Sequence, residues 1–119
     1  MTDSNTFSDN MDWNEFQAWA MSKMKKDTIS KMQACAALGI SGEAGEFSDL
    51  VKKELFHNKP CKAQAKAMEL GDVLFYVAVN ARLWGIPLEL VMKSVRSKLD
   101  ARYPDGFDQA RAHAHAEQT

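Results

Sequence analysis

Residues 39–84 read GISGEAGEFSDLVKKELFHNKPCKAQAKAMELGDVLFYVAVNARLW, two long helical stretches on either side of one break. Before the break, Glu43 and Glu46 lie three apart and so share one helix face, with Gly39, Phe47 and Leu50 on or beside it. After it, Ala65, Tyr76, Val79 and Leu83 form a stripe that Glu69 and Asp72 interrupt at the same spacing. The break is Asn58-Lys-Pro-Cys61, where Asn58 suits a helix end and Pro60 cannot continue one. The reading is a helix over about 29–57, starting near Thr28 or Ser30, and another over about 62–84, stopped by Gly85.

Outward from this pair, Trp13, Phe16, Trp19, Ala20 and Met24 recur at helical spacing and predict a first helix over about 12–26 with Asp12 as its N-cap. Pro87 favours the first turn of a fourth helix over about 87–103, and Tyr103-Pro-Asp-Gly106 reads as a turn. Residues 1–11 are expected to be a flexible leader, 12–108 one domain, and 109–119 a polar, alanine-rich tail. The expected fold class is all-α, a four-helix domain. The stretch VLFYVAVNARLW from Val73 is apolar on nearly every side, and such a helix must be covered all round. Three other helices in one short chain do not suffice, so oligomerisation is expected to complete the fold.

Composition sets the outer bounds. With 119 residues the chain makes one domain with a modest core. Apolar residues are 45% and charged residues 26%, and fifteen basic side chains nearly cancel sixteen acidic ones. That balance lacks the basic excess of a general nucleic-acid binder. The longest apolar run, Val73 to Val79, is too short to span a bilayer, and residues 1–10 lack the apolar run of a signal peptide. Cys35 and Cys61 have no C-x-x-C partner and read as reduced thiols of a cytoplasmic protein.

Both acidic pairs sit in stripes that otherwise look core-facing. Burying an unpaired carboxylate costs several kcal/mol, and converging carboxylates repel one another so that some stay protonated. A hard divalent cation relieves both problems, and Mg²⁺ completes its shell with water and phosphate oxygens. An acidic pair three apart is ordinarily a solvated face, so the pattern alone fits either a metal cradle or a solvated surface. Gly39, Gly42 and Gly45 each cost about 1 kcal/mol relative to alanine in a helix, so something requires their small size. Close packing of another helix accounts for them, and so does close approach of a phosphate chain.

The pattern E-x-x-E, 22 intervening residues, then E-x-x-D resembles the signature of the MazG-like, all-α nucleoside triphosphate pyrophosphohydrolases. AALGISGEAGEFSDLVKKELFH and ELGDVLFYVAVNARLWGIPLE look like that family's two metal-bearing helices, and KLDARYPDGF like the end of its catalytic domain in short phage- and bacteria-type members. The resemblance spans about residues 12–108. It implies hydrolysis of a nucleoside triphosphate, in a house-cleaning role, to the monophosphate and pyrophosphate. Glu43, Glu46, Glu69 and Asp72 would hold Mg²⁺, with Mn²⁺ as a substitute, or one glutamate, Glu46 for instance, would instead hold or deprotonate the water. It also implies that Tyr76 contacts the nucleotide. Lys98 and Arg102, or Lys52 and Lys53, would neutralise phosphates, and Trp13 or Trp19 would stack on the base. For each of these the alternative is an exposed basic surface or an ordinary core aromatic. Relatives form dimers and tetramers. Short relatives often have Asn where Val95 stands, which leaves substrate preference open, and His113 and His115 lie outside the shared pattern.

Two other readings compete. Glu54-x-x-His57 is an element that di-iron carboxylate bundles use, but it occurs once. A helical oligomeric binding module that kept the fold without turnover is the second, and an intact set of four carboxylates argues against it.

Overall fold

A computed structural model describes residues 11–107. It holds four α-helices, Trp13–Ser22 (α1), Ile29–Phe56 (α2), Ala63–Leu83 (α3) and Leu88–Arg102 (α4), and no strand among the described residues. The fold class is all-α, as the periodicity requires. No single described helix is long and apolar enough to cross a membrane. The leader (apart from Met11) and the tail with His113 and His115 lie outside the described residues.

Helix ends follow local chemistry. Asp12 caps α1 by a reciprocal box: its carboxylate accepts from the Glu15 N–H at 2.7 Å, and the Glu15 carboxylate accepts from the Asp12 N–H at 3.0 Å. Helix α1 is shorter than the sequence predicts, ending at Ser22 rather than near Lys26. The reason is a tightened last turn, in which the Lys23 and Met24 N–H groups donate back three residues to Ala20 and Met21. Thr28 caps α2 through its hydroxyl, and Asn58 follows the α2 C-cap with a left-handed φ of 52°. Gly85, with φ of 72°, ends α3 in a conformation that side chains resist.

Helices α2 and α3 pack antiparallel along their length, and α1 packs on α3. Side-chain amides lock these contacts. The Gln33 amide donates to the Leu83 carbonyl at 3.1 Å, and the Asn80 amide to the Ala36 carbonyl at 2.8 Å and the Tyr76 carbonyl at 2.6 Å. Gln17, only 3% exposed, donates to the carbonyls of Ala78 and Ile86 and accepts from the Leu88 N–H. The fully buried apolar core is small, with Ala20, Ala36, Ala78, Val79 and Leu88 at its centre. Among the described residues, those from Glu89 to Phe107 belong to a second compact unit.

Candidate functional site

The α2–α3 packing fixes the four carboxylates. One carboxylate oxygen each from Glu43, Glu69 and Asp72 lies within 4.8 Å of the other two. Glu43 and Glu69 are half-buried, and Asp72 is exposed. The Oε2 atoms of Glu43 and Glu69 are buried with no hydrogen-bond partner among the described residues. Glu46 stands beside this group rather than inside it, exposed at the surface yet close enough to act on both buried carboxyls.

The electrostatics follow. The Glu43 carboxyl is pushed above its ordinary range first by burial, then by the charge of Glu46 and a hydrogen bond shared with it, then by Asp72 and Glu69. Glu69 is raised by burial first, then by the charges of Glu46 and Asp72 and by a hydrogen bond with Glu46. Two buried carboxylate oxygens without donors, among like charges, are an incomplete arrangement. Protons complete it at low pH, and a hard divalent cation completes it where the groups ionise. The residues present therefore fit such a cation.

Tyr76 crosses from α3 to lie over Gly39 of α2, where an added Cβ would come within 2.5 Å of the ring. Close helix packing thus accounts for Gly39. It does not account for Gly42 or Gly45, where an added Cβ would meet nothing within 4 Å, because α3 does not overlie those positions. The Tyr76 ring stands edge-on to Phe75 at 5.1 Å, and Phe75 edge-on to Trp19 at 6.1 Å, so the α1 aromatics buttress it. Asn80, which no motif signalled, holds the Tyr76 carbonyl one turn away.

The other expected residues are more dispersed. Trp13 lines a crevice of about 210 Å³ with Phe16 and Leu74. Leu74 is rotated by about 140° from Glu69 and about 200° from Asp72 around α3, so this crevice opens on another side of the helix. Trp19 is an α1 packing residue, with ring contacts to Phe16 and Phe75. Lys52 and Lys53 both turn to Asp49, at 3.6 and 2.8 Å, on the exposed surface a turn beyond Glu46. The Asp49 carboxyl is held below its ordinary range chiefly by the hydrogen bond from Lys53. Lys98 is exposed and Arg102 half-buried on α4, and neither makes an ion pair among the described residues.

The Glu54-x-x-His57 element is used for structure. Glu54 Oε1 accepts from Lys66 Nζ at 2.8 Å and from the Cys61 N–H at 2.9 Å, and its carboxyl is lowered first by Lys66 and then by Cys61. His57 is the α2 C-cap. Glu54 thus ties down the α2–α3 turn, and its occupied oxygen argues against a di-iron role. Below the carboxylates, that turn encloses a groove lined by Leu50, Lys53, Lys59, Lys62 and Met68 among others. Sequence reading missed this groove, because its walls come from three separate segments with no shared motif.

A family model described as the MazG nucleotide pyrophosphohydrolase domain matches residues 31–107, well over half of the chain. No curated protein and no solved structure matches it.

Proposed function

Because the chain belongs to the MazG nucleotide pyrophosphohydrolase family, we propose that it hydrolyses a nucleoside triphosphate to the monophosphate and pyrophosphate at the Glu43, Glu46, Glu69 and Asp72 cluster. The observation that carries this is the pair of buried, donorless oxygens, Glu43 Oε2 and Glu69 Oε2, beside Asp72. Glu43, Glu69 and Asp72 would hold Mg²⁺, or Mn²⁺ in its place, and Glu46 beside them would serve the water instead of the metal. Bound there, the cation would neutralise charge on phosphate oxygens and lower the pKa of a water.

The chain's own residues supply the rest. Glu46, adjacent to the cluster and open to solvent, accepts the proton as water oxygen bonds to the α-phosphorus. The bond from that phosphorus to the bridging oxygen breaks, and pyrophosphate leaves with the electron pair. Tyr76, whose ring packs over Gly39, is proposed from the resemblance to contact the nucleotide. Lys52, Lys53, Lys98, Arg102 and Trp13 remain substrate-binding candidates from the resemblance alone. The active form is proposed to be a homo-oligomer, a dimer or tetramer, and the protein cytoplasmic.

A panel of deoxy- and ribonucleoside triphosphates with Mg²⁺, assayed for pyrophosphate, tests this reading. At least one is expected to be cleaved, with turnover abolished by Glu43→Gln and by Asp72→Asn in folded protein. Pyrophosphate from none of them would favour the non-catalytic binding module. Glu46→Gln separates the roles: turnover is expected to fall while Mg²⁺ still raises the Tm. If that variant kept full turnover, the base assignment would be wrong.

A further inference from the structure

Resting on that reading, we propose that the lysine-rimmed groove at the α2–α3 turn is a phosphate subsite, which takes the terminal phosphates of the substrate and holds them as the leaving pyrophosphate. The groove has a volume of about 590 Å³ and is lined by Leu50, Ala65 and Met68 and by Lys53, Lys59 and Lys62 among others. It begins where the carboxylates end. Leu50 lies one turn beyond Glu46 on α2, and Ala65 one turn before Glu69 on α3. Because the helices run antiparallel, both walls step away from the cluster in the same direction. Lys53 is seven residues from Glu46, about 10 Å along the axis, and a flexible four-carbon lysine stem reaches back over part of that span.

Charge singles out this end of the helix pair. Residues 49–66 carry five lysines against two carboxylates. Asp49 engages Lys52 and Lys53, and Glu54 engages Lys66. Lys59 and Lys62 have no ion-pair partner among the described residues, and both line the groove. Lys62 also occupies the α3 N-cap without supplying a side-chain cap, so the first α3 N–H groups add to the positive end.

Ammonium groups donate and never accept, so this rim complements phosphate oxygens rather than a base edge that needs both kinds of partner. A polyphosphate lying along the pair would have its scissile end at the carboxylates and its far end among the lysines. When the bond to the α-phosphorus breaks, the charge gathered on the leaving pyrophosphate lies toward Lys59 and Lys62. These two are positioning residues that favour triphosphates over diphosphates.

Titration calorimetry of inorganic pyrophosphate into the full chain, with and without Mg²⁺, tests the proposal on wild type, Lys59→Gln, Lys62→Gln and the double variant. Loss of both ammonium groups is expected to weaken pyrophosphate binding at least about tenfold, and to raise KM for a triphosphate similarly with the Tm unchanged. Lys26→Gln, in the α1–α2 connection, is the control and should bind as wild type does. No pyrophosphate binding by wild type, or equal affinity in wild type and double variant, overturns the subsite. Lysine-dependent pyrophosphate binding with no triphosphate cleaved would sink the hydrolase reading and leave the subsite standing. Turnover whose KM ignores both lysines would do the reverse.

Discussion

Glu43 and Glu69 each have one oxygen buried without a donor and a carboxyl pushed above its ordinary value of 4.5. A raised carboxyl means that the native state keeps a proton which the unfolded chain has released. Stability from these two groups is therefore complete below about pH 4.5, falls as pH rises through the folded values, and stays lost above them. Divalent cations bind the ionised forms, so their effect has the opposite slope. In chelator, the wild-type Tm is expected to drop relative to that of Glu43→Gln as pH goes from 5 to 8, leaving the variant the more stable protein at pH 8. Mg²⁺ should raise the wild-type Tm more at pH 8 than at pH 5, and leave the Glu43→Gln Tm nearly unmoved. Thermal melts on both proteins across that range check this. A wild type that outlasts Glu43→Gln at pH 8 in chelator would mean that the two glutamates are satisfied without a metal. Such an inactivating yet stabilising change is what a site built for an absent charge should produce.

Between elements, the contacts divide into those that periodicity signals and those that it does not. The two acidic pairs, the Pro60 break, the Asp12 and Thr28 caps and the Gly85 stop are local, so the sequence could be read for them directly. The α1 end at Ser22 was not legible, because it rests on three-residue backbone bonds that Lys25 and Lys26 do not announce. Nor was Gln17, a polar residue in an apolar stripe whose partners lie more than sixty residues away at Ala78, Ile86 and Leu88. Replacing Gln17 by Leu strands the buried Leu88 N–H and removes a donor from the Ala78 and Ile86 carbonyls, and should cost about 1–3 kcal/mol, read as a lower urea midpoint with unchanged m. The three glycines look alike in sequence and differ in structure. Gly39→Ala drives a methyl into the Tyr76 ring, and overpacking of about 1–3 kcal/mol outweighs a helix-propensity gain of about 1 kcal/mol. Gly42→Ala meets open space, and only the propensity gain remains within the chain. Urea unfolding should thus show opposite signs for the two. A destabilised Gly42→Ala protein would mean that something outside this chain packs there.

At the scale of the whole molecule, the third helix poses the remaining question. Its sequence is apolar on nearly all sides, yet Leu70 remains 51% exposed, and Leu38, Leu55 and Phe56 of α2 are 74%, 66% and 78% exposed. Each such residue alone is unremarkable. Together, on the two helices that carry the carboxylates, they leave a large apolar surface of a kind that monomers rarely present to water. The fully buried core is built mostly from alanines, with Val79 and Leu88 its largest members, and is thin for a chain of this length. A second copy of the chain burying these faces would supply the missing core, and would bring new groups beside Gly42 and Gly45, where this chain offers no neighbour. Sedimentation of the wild type at micromolar concentration is expected to give a dimer or tetramer, and Leu38→Glu and Leu70→Glu together to shift it to monomer with a lower, concentration-independent Tm. Turnover should fall along with the oligomer if the partner completes the site. Sedimentation of the wild type as a monomer at every concentration would mean instead that one chain tolerates this exposed surface and that the cluster works within it alone.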